Sequence, residues 1–134
     1  MASELKVDKF TGVTTAGSID VVGEGNSTTT NLQQGLCKAW GEFNASTSLQ
    51  DNFNTTSLTD NGTGDTTIVI AANFSNALFS PNSSAGYASD NPANYGGGIA
   101  NVDSGNARMK TTSQDSSSAT DTAFQAYQLF GDLA

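Results

Sequence analysis

KAWGEFNASTSLQDNFNTTSLTDNGTGDTTIVIAANF, from Lys38 to Phe74, contains three runs with the marks of β-strands. In the first, Trp40 alternates with Ala39, Gly41 and Phe43, and Lys38 and Glu42 fall on the Trp40 side. A period of two fits a strand with one drier face. The second run, Phe53 to Thr59, is short and rich in Thr and Ser. The third, Thr66 to Phe74, holds Ile68, Val69 and Ile70, the densest β-branched patch in the chain. Such residues favour the pleated backbone. Between the second and third lies Asp60-Asn-Gly-Thr-Gly-Asp65. Asn-Gly accepts positive φ at low cost, and Gly64 allows a second such residue. The stretch therefore predicts an antiparallel meander with a tight turn at Asn61-Gly62.

Working outward, Thr30 to Cys37 has the composition of one helical turn, capped by Thr30 or Asn31 and stopped by Gly35. Gly23 to Thr30 reads as a polar loop. Ser18 to Val22 is a short β-branched run, separated by a turn-rich linker from Leu5 to Phe10. There Leu5 and Val7 would share one face of a strand. Downstream, Asn76 to Asn101 reads as a long loop, with a turn cluster from Pro81 to Gly86 and a Gly96-Gly-Gly98 run. A strand follows around Ala107 to Thr112, with Ala107, Met109 and Thr111 on one face. The last strand runs from Thr120 to Phe130. Phe124 and Phe130 share a face with Thr122, Ala126 and Gln128, while Tyr127 and Leu129 take the other. Large residues on both faces point to a central strand, or to one buried at a subunit boundary. The fold class is all-β, a small antiparallel sandwich or barrel with an extended N-terminal arm. Residues 1–35 form the arm or attachment segment, and residues 36–134 the sandwich or knob domain.

Composition restricts function. Leu, Ile, Val and Phe make up 25 of 134 residues, just under the roughly 20% at which a lone core becomes thin. Part of the buried surface should then come from neighbouring subunits, which predicts a homo-oligomer of closed symmetry. The net charge is -8 with five basic residues, so no basic stripe exists for nucleic acid. An acidic surface also repels anionic membranes. No apolar run approaches the ~20 residues of a membrane span. Met1 to Phe10 has no apolar leader core, which predicts synthesis in a cytoplasm.

Catalytic chemistry finds few groups. The chain has no histidine, the commonest general base and metal ligand. Its single cysteine, Cys37, excludes an internal disulfide and lacks the His partner of a catalytic thiolate. Asp60 to Asp65 offers oxygen ligands suited to calcium, but without the alternating acids and closing Glu of an EF-hand. It reads as a hairpin turn, with a bound cation as the alternative. Trp40 and Glu42 set an acid beside an aromatic, the one pair suggestive of glycoside hydrolysis. A short chain with few aromatics supplies little of the cleft that such chemistry needs. The expectation is no catalytic residue, no cofactor and no metal.

The pattern FNxxSLTDNGTGDxTI, here Phe53 to Ile68, is similar to tail-fibre-like proteins of marine bacteriophages, notably those of cyanobacteria and pelagic bacteria. So are the lead-in from Gly23 to Trp40 with Leu32-Gln-Gln-Gly-Leu36, the N-terminal Leu5-Lys-Val-Asp8, and Phe130-Gly-Asp-Leu133. The resemblance covers most of the chain and thins between Asn76 and Thr120. It implies a virion structural protein, fibre-like or knob-like, on the particle exterior, assembled in the host cytoplasm. It implies a trimer, partners among tail or capsid proteins, and a role in host attachment through a cell-surface receptor. Capsid decoration is the alternative, since a short chain with an extended N-terminus suits a seat on a capsid. The candidate partner-contacting residues are Leu5, Val7 and Phe10 of the arm, Tyr87 and Tyr95 around a Gly/Asn/Ser-rich loop, and Phe124 and Tyr127 of the last strand.

Overall fold

The computed structural model describes residues 4–13, 19–22, 29–86 and 95–134. The chain forms two compact units, Met1–Leu36 and Cys37–Ala134. In the first, β1 (Asp20–Val22) pairs antiparallel with β2 (Thr29–Asn31), which runs into a single helical turn, α1 (Leu32–Gly35). The Leu32 amide donates to the Ile19 carbonyl at 2.8 Å. The expected strand from Leu5 to Phe10 does not form: residues 4–13 carry no strand and are exposed throughout. Alternation decides only which side chains share a face. A strand also needs a neighbour for its backbone groups, and none is paired with this stretch.

The second unit is a β-sandwich of two four-stranded antiparallel sheets. One has the order β4 (Leu49–Phe53), β3 (Cys37–Phe43), β10 (Phe124–Phe130), β7 (Ser80–Gly86). The other has the order β5 (Thr55–Asp60), β6 (Asp65–Ile70), β9 (Asn106–Ser113), β8 (Tyr95–Asp103). The inner faces supply the core: Ala39, Phe43, Tyr127 and Leu129 from the first sheet, and Ile68, Ile70, Ala107 and Met109 from the second. Phe74 and Phe79 stack at 4.5 Å.

The meander is corrected in one respect. The hairpin of β5 and β6 forms as expected, with Leu58 opposite Ile68. The first run, β3, instead belongs to the other sheet, beside β4 and β10. The second run hides the reason, because Asn54 splits it. Asn54 holds φ at 57°, a left-handed conformation that Asn tolerates better than most residues. Phe53 ends β4 and Thr55 starts β5, so the chain changes sheet at this corner. The Asn54 amide group donates to the Lys38 and Ala72 carbonyls at 2.9 and 3.1 Å, and its Oδ1 accepts from the Ala72 amide at 2.7 Å.

A second correction concerns Asn76 to Asn101, which is not a long loop. Ser80 to Gly86 forms β7 and Tyr95 to Asp103 forms β8. Pro81 is compatible with β7 because that strand is an edge, bonded only to β10. Ser83 Oγ donates to the Gly97 carbonyl at 3.0 Å, joining β7 to β8 across the sheets. The strand around Ala107 to Thr112 is present as β9, with Ala107, Met109 and Thr111 all buried. The last strand is central, between β3 and β7. It starts at Phe124 rather than Thr120, and Thr122, ahead of it, is buried.

Candidate functional site

The outer face of the β4-β3-β10-β7 sheet brings together the side chains with the clearest recognition chemistry. Inward positions on β3 are Ala39, Gly41 and Phe43, so Trp40 and Glu42 are turned outward and exposed. Register extends each into a row across all four strands. Phe53, Trp40, Gln128 and Asn82 stand side by side in one row. Asp51, Glu42, Ala126 and Ser84 form the next. Between the rows lies a groove of about 300 Å³. Among the described residues, the charged groups of its lining are the carboxylates of Glu42 and Asp51. The two acids lie directly opposite each other, an arrangement that costs stability in an antiparallel pair.

The groove is held flat from beneath. Gly41 faces Tyr127 across the ladder. A Cβ at position 41 would come within 2.5 Å of the Tyr127 hydroxyl, so only glycine lets that ring lie there. The hydroxyl shares a 2.6 Å hydrogen bond with Thr55 Oγ1 on β5, tying one sheet to the other. Burial pushes the Tyr127 phenol up to about 12, against a smaller opposing pull from the Thr55 bond.

On the other sheet, Asp65 closes the turn that was weighed as a cation site. Arg108 grips its carboxylate through Nε and Nη2, both at 2.6 Å, and Lys110 approaches to 3.4 Å. The Arg108 hydrogen bond above all holds the Asp65 carboxyl down to about 2. Asp60 Oδ1 accepts from the Gly62 amide at 2.8 Å. Both acids of the turn thus have protein partners. Positive φ falls on Gly62 (119°) and Gly64 (65°), and not on Asn61. Among the described residues, no group of three or more acids, Cys or His is arranged to hold a metal.

The candidate partner-contacting residues differ in exposure. Leu5, Val7 and Phe10 are exposed at 73%, 47% and 61%. Tyr87 lies outside the described residues. Tyr95 begins β8, half-buried opposite Ser113. Phe124 is half-buried, on the same side of β10 as Gln128. Tyr127 is 2% exposed and belongs to the core, so its reading as a surface contact is corrected. Of the groove lining, sequence reading singled out Trp40 and Glu42, while Asp51, Gln128, Asn82 and Ser84 joined them only through strand register, which also sets Phe53 beside Trp40. Comparison with known proteins returned no matching family model, no similar curated protein and no similar solved structure.

Proposed function

We propose that the chain is a non-enzymatic structural protein of a bacteriophage particle, a fibre-like or knob-like external appendage with a role in host attachment. The observation that carries this reading is the outer sheet face, where exposed Trp40 and Phe53 stand in register with Gln128 and Asn82, next to the row of Glu42 and Asp51. Trp40 is 37% and Phe53 53% exposed, so part of each ring is open to a partner. Large exposed side chains of this kind, rimmed by polar groups, mark contact surfaces. The similarity of the residue pattern from Phe53 to Ile68 to phage appendage proteins supports the reading independently of that surface. The exposed Leu5, Val7 and Phe10 supply a second contact, toward a neighbouring subunit or the particle.

Electron microscopy of particles labelled with antibody to the Cys37–Ala134 unit tests the reading. Label on external projections is expected. Purified particles that contain none of the chain would refute it.

A further inference from the structure

We infer that the groove on the β4-β3-β10-β7 face binds a neutral glycan, with the Trp40 indole as its platform. This rests on the reading of the chain as an external recognition protein and names the ligand class of that surface.

A sugar chain makes two demands on a site. The C–H side of a pyranose ring needs a flat apolar plane, and its hydroxyls need several planar groups that each donate or accept in pairs. Trp40 supplies the plane: it is 37% exposed and has Phe53 beside it in register. Glu42 and Asp51 supply paired acceptors, and Gln128 and Asn82 supply groups that both donate and accept. These side chains stand on four adjacent strands, so the face runs about 14 Å from first strand to last, enough for about three pyranose rings. Ala126 keeps the centre of the floor low, between Glu42 and Ser84 in its row.

Charge narrows the class. With two carboxylates and no base among the described residues of its lining, the groove repels uronic and sialic acids. A simple organic cation would satisfy the indole and the acids, yet it leaves Gln128, Asn82 and Ser84 without a task. A neutral polyhydroxylated ligand engages every group present. The uncompensated opposition of Glu42 and Asp51 then has a reason, because sugar hydroxyls donate to both acids at once.

Trp40 is the chain's only tryptophan, so its fluorescence reports directly on the site. The full chain is titrated with maltohexaose, cellohexaose, mannohexaose and N-acetylchitohexaose, with a hexagalacturonate and tetramethylammonium as comparisons. A saturable change with at least one neutral hexasaccharide and none with the galacturonate is expected. By calorimetry, Trp40→Ala should weaken that binding at least about tenfold, and Glu42→Gln and Gln128→Ala several-fold, with each variant still unfolding cooperatively. No saturable change with any of the four sugars at about 10 mM overturns the proposal. So does tighter binding of tetramethylammonium, whereas release of reducing ends would refute the non-enzymatic reading. Particles that carry the chain while no sugar binds would leave the appendage reading standing and refute the ligand. Sugar binding by a chain absent from particles would do the reverse.

Discussion

Gly64 is the least replaceable residue of the β5–β6 turn. Its φ of 65° suits glycine, and a Cβ there would come within 2.5 Å of the Thr111 carbonyl oxygen and 2.7 Å of the Thr120 nitrogen. Backbone atoms cannot swing aside as a flexible side chain can. Its amide also donates to Asp121 at 2.6 Å, and its carbonyl accepts from Thr111 at 2.9 Å. Gly62, at φ 119°, has open space around the missing Cβ. Gly64→Ala should therefore destabilise by about 2 kcal/mol or more, and Gly62→Val by about 1 kcal/mol, the cost of positive φ alone. Thermal or urea unfolding of both variants checks the order. Equal losses would mean that the contacts at Gly64 are not what constrains it. The presence of a turn was legible in Asn61-Gly62. That its tighter glycine is the second one was not, because the crowding comes from Thr111 and Thr120, far along the chain.

At the scale of elements, the Asp65–Arg108–Lys110 cluster couples β6 to β9 across the outer face of the second sheet. Arg108 and its bidentate grip hold the Asp65 carboxyl at about 2, below its ordinary 3.8. The folded state therefore favours the charged form. Stability from this pair is complete above pH 3.8 and is lost as pH falls toward about 2. Arg108→Ala should remove that acid-side slope, and unfolding midpoints measured between pH 5 and about pH 2 would record the difference. Because the pair is partly exposed, the effect at neutral pH should stay within about 1 kcal/mol and shrink in salt. Element reading from sequence succeeded where a buried face alternates strictly, as in Ala107, Met109 and Thr111. It failed for β7, whose Ser80 to Gly86 run has no large apolar side chain and reads as a turn. It failed again at Asn54, because nothing in a Thr- and Ser-rich run says which residue turns the corner. The Trp40–Glu42 pair was visible from spacing, but its companions on β4, β7 and β10 depend on register, which local pattern does not carry.

At the scale of the whole molecule, the exposed N-terminal segment predicts association. Leu5, Val7, Phe10 and Val13 are exposed, and four apolar side chains along ten residues favour contact with a neighbour. The full-length protein should associate at micromolar concentration, as a trimer if the phage resemblance extends that far. Light scattering before and after removal of Met1 to Gly17 provides the check. A monomer mass for the intact chain, with cooperative unfolding, would refute assembly through the arm. The sandwich should persist after the deletion with little change in its unfolding midpoint, because its core residues all come from Ala39 onward.

The pairing of Gly41 with Tyr127 has a consequence for synthesis. β3 emerges from the ribosome early, but its central neighbour emerges last among the strands. At about 5–20 residues per second, roughly 4 to 17 seconds separate Cys37 from Phe124. Until then Phe43 has no Tyr127 to pack against, and one side of β3 is an unpaired edge. Contacts this distant in sequence also slow the folding search itself. Polysomes translating this message should therefore display nascent chains that draw chaperones to β3, and release of those chaperones should coincide with the appearance of Phe124 to Phe130.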